Sequence, residues 1–216
     1  ENGIIAPRNS IFTKEKEIQN LLGSLAENLS KDKNIKRVYV KSNSNKEEYF
    51  ISDNVVIELI HSKLSLKSLS EAWIKLLFIS SLEKKITKTK VIFRKENQYK
   101  SEILQTPGQL QSKKILEEYI NIFKNYSDKC LPLPPESTYK YVEAKKLLKN
   151  EKKAFSDKWI GNKTFTKGER DNSVIQMCFG NKKEGDFFFG NDKFDDLSFR
   201  LYAVSYTHLT LPTINW

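Results

Sequence analysis

Asp53, Glu58 and Lys63 stand at even intervals of five around two β-rich runs. Two carboxylates and an amine are what metal-dependent phosphodiester cleavage needs, the acids to hold Mg²⁺ and the lysine on a nearby strand. The spacing argues against that use. A step of five puts Glu58 and Lys63 on opposite faces of an extended strand. The compact E-x-K triplets, Glu143-Ala144-Lys145 and Glu151-Lys152-Lys153, fall on a predicted helix and read as solvated charges. No segment matches G-x-x-x-x-G-K-[ST] or G-x-G-x-x-G, so no nucleotide-binding loop is recognisable. Cys130 and Cys178 are far apart without a C-x-x-C, which excludes a zinc ribbon or a disulfide scaffold and fits a reducing cytosol.

A second kind of chemistry is electrostatic. With 37 basic against 27 acidic side chains, the chain carries a formal charge of +10 and suits a polyanion such as nucleic acid. Only Arg8, Arg37, Arg94, Arg170 and Arg200 are arginines, and abundant Lys, Asn and Ile also follow from AT-rich coding. Lys145, Lys149, Lys152 and Lys153 recur at helical spacing, either as a phosphate-contacting stripe or as an ordinary solvated face, the latter favoured. Trp73 and Trp159 sit among apolar neighbours and read as core rather than as base-stacking platforms. Tyr139 and Tyr141, beside the prolines, stay open between the two uses.

The elements that must position these groups follow from periodicity. Thr13 caps a predicted helix with Ile18, Leu21, Leu22, Leu25 and Leu29 on one face. Residues 35–41 read as a strand, and "EEYFIS" and "VVIELIH" as a hairpin turning at Asp53-Asn54. Ser68 and Glu71 pair as a capping box opening an apolar helix. "KTKVIFRK" and "YKSEIL" give a second strand pair. Thr106-Pro107 open a helix with Leu116, Tyr119, Ile120 and Phe123 as its buried stripe. The run "CLPLPPES" is either a proline motif for a partner's groove or an extended spacer pinned by Leu131 and Leu133, and a single helix is expected from about Ser137 to Ile160. A short helix over "DKFDDLSFRLY" follows. The order implies mixed α/β with a largely antiparallel sheet. At 216 residues and 38% apolar, the chain is the size of one generous domain, or of a core domain with an appended piece. No apolar run approaches the ~20 residues of a membrane span, and the N-terminus has neither signal-peptide anatomy nor an initiator Met, so the chain reads as beginning mid-protein.

The tail stands apart. Val204–Thr213, "VSYTHLTLPT", reverse-translates to a transposon-end adapter used in sequencing libraries. Residues 203–216 are read as adapter read-through and not native. His208 goes with them, leaving His61 alone and excluding histidine-based triads.

Several residues together carry a resemblance. "GIIAPRN", "IELIHSKLSLKSLSEAWIKLLFI", "LPLPPESTYKYVEA", "AFSDKW", "KGERDN" and "FDDLSFRLY" follow the order of landmarks in a known family. From Gly3 to about Tyr202 the chain resembles the C-terminal domain of RecC, the gamma subunit of exodeoxyribonuclease V (the RecBCD complex). The resemblance implies a PD-(D/E)xK nuclease-like (restriction-endonuclease-like) α/β domain with a degenerate active site, plus a C-terminal helical extension. It divides the chain into a core over residues 1–128 and a Pro-rich connector with the extension over 129–202. It also implies a cytoplasmic, non-catalytic role in double-strand-break repair and recombination: splitting the duplex, channelling strands, scaffolding the beta and alpha subunits and contributing to the Chi response. ATP and Mg²⁺ belong to those partner subunits, and no cofactor or catalytic residue is expected in this segment. The expected DNA contacts are Lys63, Lys67, Lys145 and Lys149. The alternatives are an active Mg²⁺ nuclease using Asp53 and Glu58, or a pure protein-interaction domain.

Overall fold

Short runs rich in β-branched and aromatic residues recur between residues 36 and 105, and five strands of a mixed sheet form there on either side of one helix. The computed structural model describes residues 8–42, 45–162, 166–180, 185–189, 193–203 and 209–210. Its chain divides into two units, residues 1–113 with 209–216, and residues 114–208. The division comes ahead of the boundary at residue 128 expected from sequence.

The first unit runs α1 (Arg8–Ser30), β1 (Lys36–Ser42), β2 (Asn45–Ser52), β3 (Val55–Ile60), α2 (Leu66–Leu82), β4 (Lys88–Lys95) and β5 (Gln98–Gln105). The strands lie in sequence order, antiparallel except for β3 beside β4, which are parallel because α2 carries the chain back between them. A two-residue strand, Leu209–Thr210, pairs with β5 at the far edge. It belongs to the stretch read as adapter, whose other residues beyond Ala203 lie outside the described ones.

The β2–β3 turn is the predicted one. Asp53 and Asn54 have φ of 46° and 67°, the left-handed pair that matches strand twist in a two-residue hairpin. Successive residues of β4 then assign the layers. Lys90 donates to Asp32 and to the backbone of Asn28 on α1, whereas Val91 aligns with Glu58, which meets Lys75 of α2. Side chains alternate along a strand, so α1 and α2 cover opposite faces of the sheet. Val56, Trp73, Leu76, Leu77, Ile79, Val91, Ile92 and Leu104 make the core, with Trp73 in the role expected of it.

Three sequence expectations shift here. α1 begins at Arg8, so Thr13 lies inside it rather than at its cap. The capping box of α2 is Ser65 with Ser68, one turn before the expected pair, because two serine hydroxyls serve the reciprocal bonds as well as a serine and a glutamate. Glu71 instead lies 4.0 Å from Lys67. The third helix, α3 (Gln109–Asn125), starts beyond Pro107 because Gly108 adopts φ of 108°, outside helical geometry.

In the second unit Ile115 and Ile122 of α3, two turns apart, are buried, whereas Ile120 and Phe123 of the expected stripe are exposed. Pro134 and Pro135 then open α4 (Pro135–Lys146), with Pro135 at the first helical position and Leu133 buried behind it, so of the two readings the proline run fits the spacer. The single helix to Ile160 is in fact two. α4 stops at Lys146, the chain turns through Leu147–Asn150, and α5 (Glu151–Ile160) restarts with Asn150 as its cap. Leu148 has φ of 54°, which no continuous helix allows.

Beyond α5 come β6 (Gly161–Asn162) and β7 (Thr166–Lys167), a 3₁₀ turn at Glu169–Asp171, α6 (Ser173–Phe179), α7 (Asp186–Phe189), α8 (Lys193–Ser198) and a π-helical turn over Phe199–Ala203. This unit's core is aromatic. Phe155, Trp159, Phe188 and Phe194 are fully buried and pack ring against ring at 5.1–6.3 Å. Trp159 is core, as expected. Gly168 is required by close approach: a Cβ there would lie 2.3 Å from the Trp159 carbonyl oxygen.

Candidate nucleic-acid interface

Glu58 is the acid best placed for chemistry, halfway along β3, and it is already committed. Lys75 Nζ donates to its Oε1 at 2.6 Å from the facing helix. Two residues on, where E-x-K would present an amine, β3 carries Ile60. Asp53 sits exposed in the turn before β3 and Lys63 exposed in the loop after it, so the strand's whole length separates them. Among the described residues, no group of three or more His, Cys, Asp or Glu side chains gathers where a metal ion could sit. The helical E-x-K triplets carry ordinary surface pairs, such as Lys140 with Glu143 at 2.5 Å.

The four lysines expected at DNA fall into two local settings. Lys63 and Lys67 flank the entry to α2 in the first unit; both are exposed, and Lys67 makes only a stretched pair with Glu71. Lys145 and Lys149 belong to the second unit and differ from each other. Lys145 Nζ donates to Asp195 Oδ2 at 2.9 Å and lies over the Tyr141 and Phe199 rings at 5.5 and 5.0 Å. It links α4 to α8. Lys149 stands exposed in the turn between α4 and α5. The stripe through Lys145, Lys149, Lys152 and Lys153 is therefore not continuous, because the turn breaks the helical spacing that would align it. Lys152 lies 5.4 Å from the Phe189 ring, and Lys153 is exposed in the first turn of α5.

Asp195 is the hub of that region. Tyr141, buried in the core, donates its hydroxyl to Asp195 Oδ1 at 2.5 Å. Burial pushes the Asp195 carboxyl up, but the hydrogen bonds from Tyr141 and Lys145 and the charges of Lys145 and Lys152 outweigh it and hold it below the usual range. The Tyr141 hydroxyl is pushed well above its ordinary value by burial, then by the Asp195 bond and charge. Its burial and its bond to Asp195 make Tyr141 a core residue rather than a stacking platform. Glu169 is committed just as specifically, since its carboxylate accepts from the backbone amides of Glu136 and Ser137 at 2.9 and 2.6 Å. Pro134 offers α4 no side-chain cap, and a carboxylate from the 3₁₀ turn supplies one.

One surface in the first unit carries no strong sequence signal. On the face that α1 only partly covers, a cleft of about 510 Å³ is lined by Ile35, Phe50, Ile57, Leu59 and His61, with Glu48 at its edge. Beside it the Arg37 guanidinium lies 6.0 Å from the Tyr39 ring and 5.9 Å from the Phe50 ring, and pairs with Glu48 at 2.7 Å. Tyr39 and Phe50 are both 44% exposed. Aromatic rings edged by a guanidinium can stack nucleic-acid bases. The signal that could have found it is the alternation of Arg37 and Tyr39 with Val38 and Val40 on β1, in which the valines alone mark a strand.

Comparison with known proteins adds one positive finding. The family model described as the RecC C-terminal domain matches residues 16–146, from α1 to the last residue of α4. No curated protein matches the chain.

Proposed function

The chain belongs to the RecC C-terminal domain family, and from that premise we propose that it handles DNA without cutting it, as a domain of the gamma subunit of a RecBCD-type helicase–nuclease. On this reading it is nuclease-like in the PD-(D/E)xK sense, has lost the cation site, and serves repair and recombination in the cytoplasm. It steers strands at a duplex end, and the beta and alpha subunits carry the nuclease and motor chemistry with their own Mg²⁺ and ATP. Lys63, Lys67 and Lys149 are its proposed phosphate contacts. Lys145, expected among them, is better explained by its bond to Asp195.

The observation that carries the non-cutting part is the state of β3. A catalytic acid must leave its oxygens open to a metal, whereas Glu58 is held by Lys75 and followed by Ile60. The DNA-handling part rests on the family and on the basic charge. Its test compares the full-length gamma subunit with and without this domain, scoring assembly with the other two subunits and binding to forked DNA across a salt series. Loss of fork binding, with affinity that falls steeply as salt rises, is expected; assembly and fork binding that both survive deletion would sink the reading. Digestion of labelled single strands with Mg²⁺, wild type beside Glu58→Ala, addresses the active-nuclease alternative, and equal absence of product is expected.

A further inference from the structure

The chain has two cysteines, distant in sequence, and the fold of the second unit brings them together. Cys130 stands in the proline run just ahead of Leu131, and Cys178 in the last turn of α6 just ahead of Phe179. Leu131, Ile175 and Phe179 all pack against the aromatic core around Phe155, Trp159 and Phe188. Ile175 and Phe179 are one helical turn apart and share the inward face of α6, and Cys178, three residues after Ile175, borders that face. Connector and helix are thus anchored on one core, and their sulfurs meet at its rim. A hydrogen bond with Cys130 is the main cause that pushes the Cys178 thiol up.

Both cysteines are exposed. Cysteine ordinarily fills a core as a small hydrophobe, so packing accounts for neither of them. A structural zinc site takes four ligands, and among the described residues no further Cys, His, Asp or Glu gathers with the pair to make even three. What two accessible thiols in contact can do is give up two electrons to an oxidant. In a reducing compartment such a pair is transient rather than a scaffold, formed under oxidation and reopened by other thiols.

We propose that Cys130 and Cys178 form a reversible disulfide when the protein meets hydrogen peroxide, fastening α6 to the proline connector. Cys178 holds its proton within the pair, so the Cys130 thiolate attacks first. Its sulfur takes one peroxide oxygen, the O–O bond breaks, and the other oxygen leaves as water. The Cys178 sulfur then attacks the Cys130 sulfenic acid, the S–O bond breaks, and a second water leaves. Two thiols and one peroxide become one disulfide and two waters, the sulfurs oxidised and the peroxide oxygens reduced. The new bond closes a loop holding α4 and α5, and cross-linking removes freedom from such a loop. α6 is the element most restrained, since it buries no residue of its own. The inference is independent of the DNA-handling reading.

The test uses the full-length protein, reduced, exposed to hydrogen peroxide, capped with N-ethylmaleimide and digested without reductant. Mass spectrometry should find the peptides carrying Cys130 and Cys178 joined, two hydrogens lighter than their sum, and parted again by dithiothreitol. In Cys178→Ser a sulfenic acid should accumulate at Cys130 and react with dimedone, whereas in Cys130→Ser the Cys178 thiol should persist. The Gly180 amide, which closes α6 on the Gln176 carbonyl at 2.8 Å, should exchange hydrogen more slowly in oxidised than in reduced wild type, and equally in the two states of either serine variant. Both thiols still capped after a peroxide dose that oxidises free cysteine, separate sulfinic acids, or a link only between copies of the protein overturns the pair. A linked peptide with unchanged exchange at Gly180 overturns the fastening. Dimedone on Cys178 instead of Cys130 overturns the order of attack. None of these readouts involves DNA, so their failure is distinct from failure of the fork-binding test.

Discussion

The two units use paired charge differently. In the first, the pairs tie regular elements together: Lys90 of β4 to Asp32 just after α1, and Glu58 of β3 to Lys75 of α2. Each pins a helix to one face of a sheet whose register already specifies its core. In the second, short segments with little regular structure supply the acids, Glu169 from a 3₁₀ turn and Asp195 from α8, and both close on α4. The aromatic core beneath them is dense, but α6 buries no residue and α7 has only four residues. Where secondary structure is strong, charge refines a packing that exists. Where it is weak, hydrogen-bonded carboxylates help decide which packing forms.

The largest expected effect lies in the first unit. Lys90 and Asp32 side chains are only 9% and 15% exposed, so Lys90→Met strands a carboxylate in the interior and should cost about 3–5 kcal/mol. Urea unfolding measures this, and adding Asp32→Leu should recover much of the loss. A Lys90→Met variant as stable as wild type would show that the pair refines nothing. In the second unit, Glu169→Gln removes a charged acceptor from the start of α4 and should cost about 1–2 kcal/mol. Hydrogen exchange should accelerate first at the Glu136 and Ser137 amides; acceleration spread evenly over the unit would show that the cap does not act locally.

The smallest effect is on pH. The Asp195 carboxyl is held below its unfolded value, so its contribution is present above the ordinary aspartate range, near pH 4, and is lost as pH falls through the folded value. Because the side chain is 55% exposed, solvent screens the effect and the loss should be modest. Acid titration followed by near-ultraviolet circular dichroism should place it in the second unit, and Asp195→Asn should flatten that part of the curve.

Much of the first unit was legible in advance because runs of β-favouring residues and the Asp53-Asn54 turn act over a few residues. The hairpin, the β4–β5 pair and the burial of Trp73 all follow from such local rules. The second unit was misread where its breaks are tertiary. Residues 137–160 have helical periodicity throughout, and the Asn150 cap signal is hidden within the lysine run. The candidate lysines were legible as charges, but whether each faces solvent or a carboxylate was not. Lys145 and Lys149 look alike in sequence; one is bound to Asp195 and the other stands in a turn.

Composition and pattern alone determined the basic charge and the mixed α/β order, since each depends on residue type and near neighbours. Only the tertiary structure decided that Glu58 is spent on Lys75, that a distant glutamate caps α4, and that the chain breaks at Leu148 between α4 and α5. Those outcomes depend on which side chains meet across long stretches of chain, and spacing along the backbone does not encode such meetings.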